Sequence, residues 1–164
     1  MTLAGLNALG RDAFVEAIGW VFEDSPWIAE RVWPGRPFAS LEALHQTMAA
    51  VMFAASADRQ LVLLRAHPDL GTKLKMSTAS TGEQADAGLS RLAPEVHKQL
   101  SELNTAYRQK FGFPFLFAVK GSTPAQMLEA LQSRLPCDRA TEFEEALRQV
   151  ARIAWFRLEG MVTR

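Results

Sequence analysis

Apolar residues recur three and four positions apart along most of this chain, and this spacing is the pattern of helices that bury one face. Between residues 40 and 55, one such stripe consists of Leu41, Leu44, Met48, Val51, Met52 and Ala55. No pair of segments alternates apolar and polar residues convincingly, as half-buried strands would. The sequence therefore predicts an all-α fold, a helical bundle of about eight helices.

Capping residues and prolines set the expected limits of these helices. A first helix is expected from about 11 to 24, after which Ser25 is the expected cap and Pro26 the first residue of the next helix. Ser40 should cap the helix that carries the stripe above, and residues 58 to 66 should form another. A loop is expected from Gly71 to Ser80, and the later helices are predicted to begin near Ser80, Pro94, Thr123-Pro124 and Asp138 or Thr141.

The run from Phe111 to Val119 is apolar, but Gly112 and Pro114 interrupt it. These two residues make a regular helix unfavourable. The run is therefore expected to be a buried strand or an extended segment of the core, and periodicity alone does not choose between the two.

Composition narrows the class of protein. A chain of 164 residues with no internal repeat or linker is expected to form a single domain, residues 1–164. Its 18 basic and 18 acidic residues balance, so nothing suggests a nucleic-acid partner. Since no apolar run reaches the roughly 18 residues of a membrane span and no signal peptide is evident, we expect a cytoplasmic protein without a membrane partner.

His67 stands where a helical pattern stops, directly before Pro68. The proline disfavours helical backbone at His67, so the imidazole is expected in a turn at a helix end. Histidine is also the side chain whose unperturbed pKa, about 6.5, lies nearest neutral pH. His67 is thus a candidate acid–base group, although a histidine that merely ends a helix would produce the same local sequence.

Metal binding is not expected. The other two histidines, His45 and His97, lie beside or off the apolar stripes and are predicted to be surface or boundary residues. Three dispersed histidines and the lone Cys137 do not form a zinc-binding pattern.

Ser80, Glu83 and Gln84 form the second polar stretch. Ser80-x-x-Glu83 has the spacing of a capping box, which satisfies two backbone donors at a helix start and needs no catalysis. Gln84 lies on an otherwise small and apolar face, and a carboxylate and an amide at a helix start can also bind a polar ligand. Both interpretations remain open at this point.

Arg157 falls on the apolar stripe of the last predicted helix, between Ala154 and Met161. A buried, unpaired charge is costly, so Arg157 is expected to meet a carboxylate of the protein or of a ligand. The alternative is that the side chain extends into water at the helix end. Together with His67, Glu83 and Gln84 it would suit acid–base chemistry on a small anionic, amide-rich molecule.

Several motifs occur in the order found in one family, and the resemblance extends from about residue 5 to 162. They are Ser25-Pro26-Trp27, Arg36-Pro37-Phe38, His67-Pro68-Asp69-Leu70, Ser80-x-x-Glu83-Gln84-x-x-Ala87-Gly88-Leu89, Leu103-Asn104-x-x-Tyr107, Phe111-Gly112-Phe113-Pro114-Phe115 and Arg157-Leu158. In these motifs the chain resembles the OHCU decarboxylases, which act on 2-oxo-4-hydroxy-4-carboxy-5-ureidoimidazoline. The combination is specific, whereas each motif alone would be weak.

The resemblance implies a cofactor-independent decarboxylation that yields (S)-allantoin and carbon dioxide in urate degradation, by an all-helical enzyme that is usually a homodimer. It implies His67 as the proton donor and Glu83 as a second catalytic residue. The substrate-binding residues that it implies are Pro68, Ser80, Gln84, Arg157 and the segment Phe115, Leu116, Phe117, Ala118 and Val119. Two alternatives remain: an enzyme acting on a related ureide, or a non-catalytic helical binding module.

Overall fold

The computed structural model describes residues 1–71 and 78–163. Within them the chain forms nine α-helices and two short 3-10 helices, at Trp33–Gly35 and Leu89–Arg91, and no strand. The α-helices are α1 Leu3–Ala8, α2 Arg11–Ile18, α3 Trp27–Val32, α4 Leu41–Phe53, α5 Ala57–Ala66, α6 Thr78–Asp86, α7 Pro94–Phe111, α8 Pro124–Arg134 and α9 Arg139–Met161. The predicted all-α fold is confirmed.

The helices group into two compact units. The first comprises Met1–Leu63 and Ala151–Arg164, and the second comprises Leu64–Val150. Within the described residues no single helix is long and apolar enough to cross a membrane; only α4 and α5 taken together, bent by 115°, reach that length and composition.

In the first unit, the two ends of the chain meet. Thr2 and Thr163 form a parallel bridge, in which the Leu3 amide donates to the Thr163 carbonyl oxygen at 3.2 Å and the Thr163 amide donates to that of Met1 at 2.8 Å. The largest buried side chains of this unit are apolar: Leu6, Phe14, Ile18, Phe22, Ile28, Leu44, Met48 and Met52.

Helix α2 ends at Ile18, although the sequence predicted a helix to about residue 24. Gly19 ends it in close contact with the next segment, since a Cβ at this glycine would lie 3.2 Å from Pro26 Cβ. Val21 and Phe22 continue the apolar pattern because the turn that follows is itself buried. Apolar spacing alone therefore extended the predicted helix too far.

Ser25 is not the cap of α3, so that prediction is wrong. Its hydroxyl donates to the Glu23 carbonyl oxygen at 2.9 Å, and Pro26, in helical backbone, occupies the position before the helix without a side-chain cap. By contrast, Ser40 caps α4 as predicted, because its Oγ accepts from the Ala43 amide at 3.1 Å.

The second unit centres on aromatic side chains. Tyr107 and Phe111 of α7 pack against Phe113 and Phe115, with ring centroids between 4.4 and 6.1 Å apart. The run 111–119 is mostly buried, with Gly112 exposed and Phe117 half-buried, and beyond Phe111, the last residue of α7, it forms neither a helix nor a strand. This outcome agrees with the second of the two predicted possibilities.

The predicted start of α6 is wrong. The helix begins at Thr78, so Ser80 and Glu83 both lie inside it and do not form a capping box at its start. Residues three apart share a helix face, which is why the same spacing arises in a helix interior. Of the loop predicted from 71 to 80, residues 72–77 lie outside the described residues and 78–80 are helical. A capping box does occur at the start of α8, between Thr123 and Gln126.

Candidate functional site

His67 lies immediately after α5, in the second unit. Its backbone amide donates to the Leu64 carbonyl oxygen at 3.2 Å, which closes the last turn, and Pro68 then directs the chain away from the helix axis. The residue is 5% exposed. The predicted histidine at a helix end is confirmed, and burial holds its imidazole away from bulk water.

Gln84 of α6 binds the backbone of the turn that follows His67. Its Oε1 accepts from the Gly71 amide at 2.9 Å, and its Nε2 donates to the Asp69 carbonyl oxygen at 3.3 Å. Gln84 is buried, as is Ser80 one turn earlier in the same helix, while Glu83 is half-buried. The structure thus brings Gln84 to the histidine turn through two hydrogen bonds.

Three residues on one face of α7 contact the same turn, and their order along the helix is the reverse of the order of their partners. His97 Nε2 lies 3.1 Å from the Gly71 carbonyl oxygen, Asn104 Nδ2 donates to that of Leu70 at 2.8 Å, and Arg108 pairs with the Asp69 carboxylate at 2.9 Å. Because these α7 residues are seven and four positions apart, they lie on one face of the helix.

The backbone at residue 71 favours glycine. Its φ of +69° lies in the left-handed region, and an added Cβ would lie 2.9 Å from Leu100 Cδ2. A side chain here would therefore strain the backbone and force the Leu100 side chain of α7 to shift. The turn from His67 to Gly71 is packed tightly as well as hydrogen-bonded.

The segment 115–119 is held in place by α8 and α9. Arg134 donates to the Leu116 carbonyl oxygen at 2.7 Å, and Gln149 Oε1 accepts from the Ala118 amide at 2.9 Å. The described residues provide no hydrogen-bond acceptor for the backbone amides of Phe117 and Val119. Side chains therefore bind the carbonyl of residue 116 and the amide of residue 118, and the amides of residues 117 and 119 remain available.

A buried polar cluster contacts this segment through Arg134. Arg134 Nε donates to Glu142 Oε1 at 2.8 Å, and the Tyr107 hydroxyl donates to the same oxygen at 2.6 Å. Burial, followed by the hydrogen bond to Glu142, raises the pKa of Tyr107 well above its ordinary value. The guanidinium of Arg134 also lies 4.5 Å from the centroid of the Phe115 ring. The cluster fixes Arg134, and Arg134 fixes the backbone at Leu116.

Arg157 belongs to the first unit, where it meets a carboxylate of the protein. Its NH2 pairs with Glu23 Oε2 at 2.8 Å, and both side chains are 3% exposed. Its NH1 donates to the Val21 carbonyl oxygen at 3.2 Å. The prediction that a buried Arg157 would meet a carboxylate is confirmed, and that carboxylate lies in the turn that ends α2 early.

The three histidines differ in their surroundings. His45 and His97 are half-buried, as predicted, and each has a ring nitrogen within hydrogen-bond distance of a backbone oxygen, that of Ala151 at 2.7 Å and that of Gly71 at 3.1 Å respectively. Among the residues that the structure describes, no three His, Cys, Asp or Glu side chains come together in a group that could hold a metal ion.

The chain is similar to known proteins of one family. The sequence profile of one family, described as OHCU decarboxylase, matches residues 7–159. The chain belongs to the OHCU decarboxylase family. A 2-oxo-4-hydroxy-4-carboxy-5-ureidoimidazoline decarboxylase of Halalkalicoccus jeotgali is 45% identical over 98% of this chain and 92% of that relative. A uric acid degradation bifunctional protein of Bacillus subtilis is 43% identical over 99% of this chain but 33% of that longer protein.

Two solved structures are similar over most of the chain. A crystal structure of (S)-allantoin synthase aligns with a TM-score of 0.82 at 30% identity, covering 99% of this chain and 54% of that one. A crystal structure of OHCU decarboxylase in the presence of (S)-allantoin aligns with a TM-score of 0.71 at 26% identity, covering 92% and 97%.

In this member of the OHCU decarboxylase family, the sequence alone did not identify the residues that bind the candidate-site segments. Asn104, Arg108, Arg134 and Gln149 contact the histidine turn or the segment 115–119, but their partners lie between 18 and 39 residues away in the chain. The only local signal was Asn104, a polar residue in a motif beside the apolar stripe of α7. Pairings of this range are set by tertiary packing rather than by local spacing.

Proposed function

We propose that this protein catalyses the cofactor-independent decarboxylation of 2-oxo-4-hydroxy-4-carboxy-5-ureidoimidazoline to (S)-allantoin and carbon dioxide. The observation that carries the proposal is the family match over residues 7–159, which includes every proposed site residue. Relatives that align over nearly their whole length are named for this reaction. The match also includes segments of both compact units, which supports treating residues 1–164 as a single domain.

The reaction requires one proton to be delivered to one face of a ring. Loss of carbon dioxide breaks the bond between a ring carbon and the carboxylate, and the electron pair remains in the ring, where neighbouring groups delocalise it. The stereocentre of allantoin is the carbon that carries the ureido group. A single enantiomer forms when the proton reaches this carbon from one side only.

His67 is the proposed proton donor. It is buried and lies in a turn whose backbone is bonded to two helices, so its position is restricted before substrate binds. A protonated imidazole would offset the negative charge that develops in the ring as carbon dioxide leaves, and would then transfer its proton. Preorganised groups of this kind need little reorganisation during the reaction.

The remaining site residues are proposed to bind and orient the substrate. Glu83 would accept hydrogen bonds from its hydroxyl or ureido groups, and Ser80, Gln84 and Pro68 would line the site beside it. The available amides of Phe117 and Val119 support a role for residues 115–119 in binding the carbonyl oxygens of the ureido group and the ring. Arg157 would orient an anionic or carbonyl group with the face of its guanidinium fixed by Glu23. The assembly is proposed to be a homodimer.

The experiment generates the unstable substrate in place from urate with the preceding enzymes, and follows the optical activity of allantoin with and without this protein. We expect a fast rise to the optical rotation of the S enantiomer only when the protein is present. Formation of racemic allantoin at the uncatalysed rate would contradict the proposal. A panel of related ureides in the same assay would identify a different substrate.

A further inference from the structure

Asn104 has an unusual environment for a buried amide. The residue is 3% exposed, its Nδ2 donates to the Leu70 carbonyl oxygen at 2.8 Å, and its buried Oδ1 has no hydrogen-bond partner among the described residues. The orientation of the amide follows from Leu70, because a carbonyl oxygen accepts only from the nitrogen of the amide. A buried, unsatisfied acceptor destabilises a fold. Leucine, of similar size, would fill this space without that cost.

The turn beside Asn104 is bonded to two helices. Three backbone groups of the turn, the carbonyls of residues 69 and 70 and the amide of residue 71, are bound by side-chain amides. Gln84 of α6 binds the carbonyl of residue 69 and the amide of residue 71, and Asn104 of α7 binds the carbonyl of residue 70. Two side-chain amides from two helices therefore fix the peptide groups that follow His67 and Pro68.

We propose that Asn104 is a positioning residue for proton transfer, which acts by fixing the turn that carries His67. This inference rests on the proposed decarboxylase function and adds to it a residue that need not touch the substrate. Arg108, which pairs with Asp69 at 2.9 Å on the same face of α7, supports the turn in a lesser way because its side chain is 45% exposed. A small displacement of a reacting group is enough to lower a rate by about a hundredfold.

The central experiment compares Asn104→Leu and Asn104→Asp with the wild-type protein. Leucine removes the donor and the unpaired acceptor, and aspartate keeps the shape but turns an acceptor toward the Leu70 carbonyl. We expect both to lower kcat by at least about tenfold while KM changes by less than about threefold, because the proton donor moves and most of the proposed substrate-binding residues lie outside the turn. Wild-type kcat in either folded variant would overturn the inference.

The matched control is Gln60→Leu. Gln60 is also a buried amide, but its Nε2 donates at 3.1 Å to the carbonyl oxygens of Met52 and Phe53 at the end of α4, in the first unit. We expect this variant to lower the melting temperature while kcat stays near that of the wild type. An equal loss of kcat in Gln60→Leu would show that lost stability alone explains the Asn104 result, and would overturn the inference.

A double-mutant cycle with His67 distinguishes a positioning role from a structural one. If Asn104 acts through His67, Asn104→Leu should lower kcat no further in a His67→Ala background. Equal fold losses in the two backgrounds would overturn the inference. Should neither Asn104 variant fold, Arg108→Gln decides: exposed ion pairs contribute little to stability, so the inference requires a lower kcat in a protein of near-normal melting temperature.

The two proposals fail in different ways. A folded wild-type protein without decarboxylase activity would overturn the proposed function together with this inference. An active wild type with full activity in a folded Asn104 variant, or in Arg108→Gln when neither Asn104 variant folds, would overturn this inference alone.

Discussion

The buried ion pair between Arg157 and Glu23 leads to a quantitative prediction. The two groups are 2.8 Å apart and each side chain is 3% exposed. Glu23→Gln preserves the shape but removes the charge that compensates the guanidinium. Removing one partner of a buried pair typically costs about 3–5 kcal/mol. Because the Val21 carbonyl and the new amide oxygen can still accept from Arg157, we expect a loss of about 2–3 kcal/mol.

For a chain of this length, each kcal/mol corresponds to roughly 2–4 °C in melting temperature, so Glu23→Gln should melt about 4–12 °C lower. Urea unfolding and thermal melts measure this loss. Replacing Glu23 with leucine and Arg157 with methionine together should restore most of the stability, because no buried charge is then left unpaired. The same double variant should stay poorly active, since the proposed substrate-binding guanidinium is gone.

Two results would refute this reasoning. A Glu23→Gln protein within about 0.5 kcal/mol of the wild type would show that the pair contributes little. A double variant with both stability and activity restored would show that Arg157 is only a structural partner of Glu23.

Three further predictions concern single residues. His67→Ala should fold normally and lose about 10²–10⁴-fold in kcat, as measured by the optical-activity assay beside a thermal melt; a folded variant with the wild-type rate would exclude His67 as the proton donor. Glu83→Gln should keep near-normal stability but lose at least about tenfold in activity, about 1.4 kcal/mol in barrier, and lower stability with intact activity would make the carboxylate purely structural. The backbone and side-chain hydrogen bonds of Thr141 lower the pKa of Asp138 below its ordinary 3.8, so its stabilising effect is present above that pH and disappears as the carboxylate protonates below it. Asp138→Asn should therefore give urea unfolding curves that depend less on pH in the acidic range, and an unchanged dependence would contradict this assignment.

The sequence predicted features that depend on near neighbours. Ser40 caps α4 and Thr123 caps α8 because both ends of each capping bond lie within three residues. The position of His67 at the end of α5 also followed from the adjacent proline. A buried Arg157 could be expected from its place on an apolar stripe, although no local pattern identifies Glu23, 134 residues away, as its partner.

The features that sequence reasoning missed depend on distant parts of the chain. The apolar pattern predicts a helix over Val21 and Phe22 because buried turns and buried helix faces have the same apolar composition. The spacing of Ser80 and Glu83 predicts a cap because spacing does not show whether a helix has already begun. Gln84 was correctly singled out as an amide on an apolar face, but its contacts with the histidine turn required the three-dimensional structure.

The parallel bridge between Thr2 and Thr163 couples the local opening of one chain end to that of the other. Ends of a chain commonly fray independently, but here the amides of Leu3 and Thr163 each depend on a carbonyl from the opposite end. Opening one end therefore removes hydrogen-bond partners from the other. Conditions that open one end should therefore speed hydrogen exchange at both amides. Removing a few residues from either end should free the other end as well.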